Sequence, residues 1–214
     1  MKKMKIKKLS VLMLIPLFSS CVMVMNKINE LKPLETYSTE NIIVEDKKAM
    51  DAEILFINDK SVKTKLRGQS NLFDKTLLNE TTINKYFAIL DKVAQKNYIS
   101  YELVKKMTFT DLKGNLRTFV NRGNNFKSLH ELIYAGKINW FAEYYPNAYD
   151  QSVQRTDHFI NESGQVVKVG NFNSMKNKLK EITSSKPELS NMIDKIEKFN
   201  SETIIEILKE YEKK

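Results

Sequence analysis

Four pairs of short apolar runs split by turn residues, followed by three segments of helical period, predict an α+β fold. The expected architecture is an antiparallel, hairpin-rich sheet or partly open barrel followed by three short C-terminal helices. The β-rich part is placed at 51–169 and the helical part at 170–214, together one domain. With 6 Gly, 4 Pro and no fixed-period repeat in 214 residues, collagen-like, low-complexity and solenoid architectures are excluded.

The run Ala52 to Ile57, closed by Asn58-Asp59 and followed by Val62 to Leu66, reads as the first hairpin. Tyr86 to Leu90 is ambiguous: a strand if read alone, a helix if Ile83 to Ala94 is read at period 3.6. Met107 to Thr110 alternates, Asp111-Leu112-Lys113-Gly114-Asn115 turns, and Leu116 to Val120 returns, with Gly114 free to take the positive φ of a tight turn. A third hairpin pairs Leu129–Tyr134 with Ile138–Tyr145 across Ala135-Gly136-Lys137, and a fourth pairs Val153–Ile160 with Val166–Val169.

Beyond Gly170 the period becomes helical. Phe172, Met175, Leu179 and Ile182 share one face, and Leu189, Met192, Ile193 and Ile196 share another. Ser185-Lys186-Pro187-Glu188 has the pattern of a capping box before the second helix. A third helix from Ser201 turns Ile204, Ile205, Leu208 and Tyr211 inward.

The N-terminus is of another kind. Met1 to Lys8 carries five lysines, Leu9 to Phe18 is apolar, and the small residues Ser19 and Ser20 precede Cys21, the single cysteine. This layout resembles the type II signal peptide of bacterial lipoproteins. The resemblance implies removal of 1–20 and lipid on Cys21, whose thiol becomes a thioether to diacylglycerol; the polar, aromatic-poor chain that follows makes 21–50 the lipidated cysteine and a tether, ending in a short strand at Ile42 to Glu45. Phe18 stands where that family usually has Leu, and Val22 to Met25 is more apolar than its usual tether. The alternative is an uncleaved anchor over Leu9–Met25, whose 17 residues lie at the short edge of a bilayer span.

Processing changes the meaning of the charge. The formal net charge is +9. Without residues 1–20, thirty basic residues face twenty-six acids, a net +4 over 194 residues. Little is left to attract nucleic acid. The body, with its ending Pro187-Glu188-Leu189 and Ile204-Ile205-Glu206-Ile207-Leu208-Lys209-Glu210-Tyr211, is also similar to envelope proteins of Gram-negative bacteria. That likeness, over Ala52 to Tyr211, implies no activity.

No residue is assigned to catalysis, and no metal or cofactor is expected. His130 and His158 are 28 residues apart with no ligand-spaced partner, and both are read as structural or solvated. No serine elbow, phosphate loop or calcium loop is present. The densest aromatic stretch is Ile138 to Tyr149, where Trp140, Tyr144, Tyr145 and Tyr149 are the possible binding residues. Strand alternation puts Trp140, Ala142 and Tyr144 on one face and Phe141, Glu143 and Tyr145 on the other, so one face must be core. Burial is preferred for Trp140 and exposure for Tyr149. Arg117, Arg122 and Lys127 form a basic stretch that reads as a charged hairpin edge.

The reading is a lipid-anchored, periplasm-facing envelope protein with a non-enzymatic binding or structural role. Its partners are the membrane and an envelope protein or glycan, and not nucleic acid. The alternative is a secreted hydrolase whose carboxylate pair is assembled only by folding.

Overall fold

A computed structural model describes residues 34–38, 48–123, 125–170 and 174–213. The leader, Cys21, the strand expected at Ile42 to Glu45, and Phe172 lie outside the described residues.

Ten strands form one antiparallel sheet that is not closed. They are β1 (Ala49–Phe56), β2 (Ser61–Arg67), β3 (Tyr86–Leu90), β4 (Lys96–Ser100), β5 (Val104–Thr110), β6 (Leu116–Val120), β7 (His130–Tyr134), β8 (Ile138–Pro146), β9 (Val153–Asn161) and β10 (Val166–Val169). Their order is β10-β9-β8-β7-β6-β5-β1-β2-β3-β4, so β5 joins the sheet beside β1 and every other neighbour is consecutive in sequence. Three helices follow: α1 (Met175–Ile182), α2 (Glu188–Asp194) and α3 (Ser201–Glu212). The fold is α+β, as the hairpin and helix patterns predict.

The connection from β4 to β5 dictates curvature. Only Tyr101–Leu103, one 3-10 turn, joins them. Ser100 and Val104 are therefore within about 14 Å along an extended chain. In a flat sheet β4 and β5 would stand four strand spacings apart, about 19 Å. The β1–β5 half must curl, and the right-handed twist of strands supplies the curl. Its concave face encloses the first core cluster, with Ile54, Phe56, Leu66, Phe87, Ile89, Met107 and Phe119 fully or almost fully buried. Tyr37, just past the 3-10 turn Leu34–Thr36, is 2% exposed in the same cluster. At least this residue of the stretch read as tether belongs to the packed body.

The other half of the same face is covered by helices. Ile138, Trp140, Phe159, Val167 and Val169 from the sheet meet Leu179 and Ile182 of α1, Leu189 and Ile193 of α2, and Ile204, Ile207 and Leu208 of α3. The helix axes are thus fixed by their apolar stripes, which would otherwise face water. α3 is capped by Asn200, whose side chain accepts from the Thr203 amide at 2.8 Å. Its last turn seats on the β7–β8 turn, where Glu212 Oε1 accepts from the Tyr134 hydroxyl and the Lys137 amide at 2.9 and 3.1 Å. A Cβ on Gly136 would sit 1.7 Å from that oxygen, so a side chain there would displace Glu212 from this seat.

Locally, Tyr86–Leu90 forms the strand, the first of its two readings; Phe87 to Leu90 are all buried, which erases the alternating period in the sequence. β4 has no counterpart in the sequence reading. The capping box before α2 does not form: Pro187 occupies the N-cap without a side-chain bond, and the Ser185 hydroxyl meets the Tyr211 hydroxyl at 2.8 Å. Gly114 does take a positive φ, +86°, in the β5–β6 turn.

Candidate functional site

Cross-strand pairing sorts the charged residues onto two faces. On the inner face, between the two apolar clusters, Arg117 pairs with both oxygens of Glu131 at 2.7 Å and with Glu80 at 2.9 Å. The Tyr144 hydroxyl donates to Glu131 at 2.6 Å. Beside them Asp157 accepts from Trp140 Nε1 at 2.7 Å and from Arg155 at 2.6 and 3.0 Å. Burial alone would lower the Arg117 pKa, but the bonds and charge of Glu131 leave it raised. Burial, and then the Glu131 charge, raises Tyr144 well above the usual phenol. The carboxylates that folding brings together here are held by arginines. Both oxygens of Glu131 and one of Glu80 are engaged by these partners.

On the outer face, the segment after β6 folds back over β7, β8 and β9 and buries two histidines. Phe141 lies opposite His158 across the β8–β9 pair, and Val120 lies opposite His130 across β6–β7, so all four share one face. His130 and His158 are each 0% exposed, with ring centroids 5.4 Å apart. Phe126 caps both edge-on, at 4.6 and 6.0 Å. Arg122 lies between the Phe126 and Phe141 rings, 4.1 and 4.5 Å from their centroids.

The tautomers follow from the partners. Arginine only donates, so His130 Nδ1 accepts from Arg122 at 3.2 Å and its proton sits on Nε2, 3.8 Å from Glu143. His158 Nε2 donates to Glu143 at 3.1 Å, which leaves its buried Nδ1 without a partner. Burial, then the charges of Arg122, His158 and Lys168, pushes His130 down to about 3. His158 is lowered by burial and then Arg122, against the opposing pull of Glu143. Among the described residues no group of three or more His, Cys, Asp or Glu is arranged to hold a metal. Arg122 and Lys168 make the pair a poor host for a cation in any case.

This burial makes stability depend on pH. The pKa of His130 is lowered on folding, so between about 6.5 and 3 the unfolded chain binds a proton that the folded one refuses. Stability is therefore lost as pH falls through that window, by up to about 1.4 kcal/mol per pH unit for one proton. Urea midpoints at pH 7 and pH 5 should show the fall, and His130→Gln, which does not titrate, should show a shallower one. Equal slopes in the two proteins would place the titration elsewhere.

The four aromatic residues proposed from sequence do not share a surface. Trp140 is 1% and Tyr144 8% exposed, both inward, as alternation requires. Tyr145 is outward and 39% exposed, and Tyr149 is 98% exposed in the turn after β8. The exposed rings that do cluster are others. Tyr98, Ala88 and Arg67 lie opposite one another across β4, β3 and β2, with Tyr86 and Lys96 two residues along on the same outer face. With Gly68, Gln69 and Thr82 these line a groove of about 220 Å³. A neighbouring groove of about 390 Å³ is lined by Tyr101, Glu102, Asn121, Gly123 and Phe126. A third concavity, about 450 Å³, is walled on the outer face of β1, β2 and β5 by charged residues that include the Lys65–Asp51 pair at 2.5 Å. No protein-family model, curated protein or solved structure matches the chain.

Proposed function

We propose that this chain is a lipid-anchored envelope protein that binds a partner and does not transform one. Cys21, behind a basic and then apolar leader, carries the anchor. The observation that supports binding is the contrast between the two sheet faces. Inside, the carboxylates are consumed by Arg117 and Arg155. Outside, exposed tyrosines surround open grooves that no side chain of the described residues fills. Rings exposed at 42% and 54% contribute little to folding and are available as contact area. Among the described residues, the inner-face carboxylates Glu80, Glu131 and Asp157 are paired with arginines, which favours binding over the hydrolase alternative at that cluster.

The anchor is tested on the chain itself. Among the described residues no helix is long and apolar enough to cross a membrane, and the proposed attachment is through the leader's lipid on Cys21. Three acyl chains would make it effectively permanent, whereas one chain binds only marginally. Cys21→Ser should move the protein out of the membrane fraction or leave it as uncleaved precursor, and intact mass of the unaltered protein should show acylation. A Cys21→Ser chain still cleaved before residue 21 would overturn the assignment.

A further inference from the structure

The two outer grooves adjoin. Tyr86 is the cross-strand partner of Ser100, and Tyr101 follows it, its amide bonded to the Lys85 carbonyl at 2.9 Å. Asn121 donates to the Tyr101 carbonyl at 3.1 Å and accepts from the Gly123 amide at 2.9 Å, so the wall between β4 and the segment carrying Phe126 is pinned. The exposed Tyr98 and Tyr86 line the first groove, and the partly buried Tyr101, which packs against the first core cluster, and Phe126 line the second, with polar groups between them.

The chemistry of that path discriminates among ligands. A sugar ring has an apolar C–H face and a rim of hydroxyls, which match a tyrosine's flat ring and the polar groups at its edge. Among the described residues, the first groove is lined by Lys96 and Arg67 and by no acid, whereas the one charge lining the second is Glu102. A nucleic acid would set a phosphate against Glu102, where no cation among the described residues lines the groove and the nearby Arg122 is stacked between Phe126 and Phe141. A hydroxyl-rich unit would instead donate to that carboxylate. From this arrangement we infer that the two grooves form one binding site for an oligosaccharide chain, with a carboxylate-bearing sugar unit beside Lys96 and a neutral, hydroxylated face toward Glu102. This deepens the binding reading above and does not depend on the anchor.

The test is calorimetry of the full chain in detergent with a tetrameric to hexameric oligogalacturonate, with a neutral cello-oligosaccharide and with inorganic polyphosphate. The oligogalacturonate should bind saturably, and more tightly than either control. Tyr98→Ala should weaken it at least about tenfold with an unchanged melting temperature, since that ring is 54% exposed. Lys96→Gln should weaken the acidic oligomer and leave the neutral one alone. Absence of saturable oligogalacturonate binding, equal binding by Tyr98→Ala, or polyphosphate binding as tight as the sugar would each overturn the inference. A strand-forming peptide that displaces the sugar by pairing with the open edge of β4 would do so as well. None of these results bears on membrane attachment, which the Cys21→Ser fractionation decides separately.

Discussion

Arg117→Met is expected to cost about 3–5 kcal/mol, because it leaves two nearly buried carboxylates without their counter-charge. Glu131 and Glu80 side chains are only 9% and 16% exposed, and Arg117 itself 12%. The loss is one of unpaired charge and not of contact area, which gives the prediction a second arm. Removing the charges together, as Arg117→Met with Glu80→Gln and Glu131→Gln, should recover part of the loss even though more bonds have been deleted. Urea midpoints of the two variants decide it. A single variant costing under about 1 kcal/mol would mean that water reaches these groups and that the network behaves as a surface pair.

Trp140→Ala should cost a similar amount, about 3–5 kcal/mol, by a different mechanism. The ring is 1% exposed, stacks on Phe159 at 5.6 Å, and is packed by the helices that close the second cluster. Truncation opens a cavity and also takes the indole donor from Asp157, which retains Arg155. Because this is the single tryptophan, its fluorescence reports the site alone. Emission should be blue-shifted and protected from quenchers in the folded protein, and shift to the red along with unfolding. Emission like that of free tryptophan before unfolding would overturn the burial on which the cost depends.

What the sequence made legible is what is set by neighbours along the chain. Alternation in Ile138 to Tyr145 placed Trp140 and Tyr144 inside and Tyr145 outside, and Gly114 and Gly136 marked two turns. Where burial is lopsided or complete, the period fades. β4 shows only Ile99 and Ser100 to the interior, so as an edge strand it offers one apolar residue to a pattern search. β3 buries four of its five residues and reads equally as helix. The partners of the site lay beyond any local signal: Glu80 and Arg117 are 37 residues apart, and Glu143 and His158 are 15 apart. One hint was available. In Leu116-Arg117-Thr118-Phe119-Val120 the strand period sets Arg117 on the same side as Phe119, and a charge facing a core demands a partner. For the histidines there was no such hint, since their burial depends on a segment folding back over the outer face, and that return is a tertiary event.

The single out-of-sequence pairing in the sheet has a kinetic consequence. Phe56 must wait for Val104, 48 residues further on, before the β1–β5 ladder can form. Every other pair joins strands consecutive in sequence and can close as soon as both exist, across connections of 3 to 18 residues. A chain emerging from its N-terminus therefore completes the four-strand β1–β4 ribbon while one side of β1 still presents bare amides and carbonyls. That strand is the one in which Asp51 and Glu53 project from the outer face. Like charges repel, so two such ribbons meeting edge to edge would bring their acids together. Asp51, which pairs with Lys65 in the finished sheet, and Glu53 thus also guard its longest-lived unfinished edge.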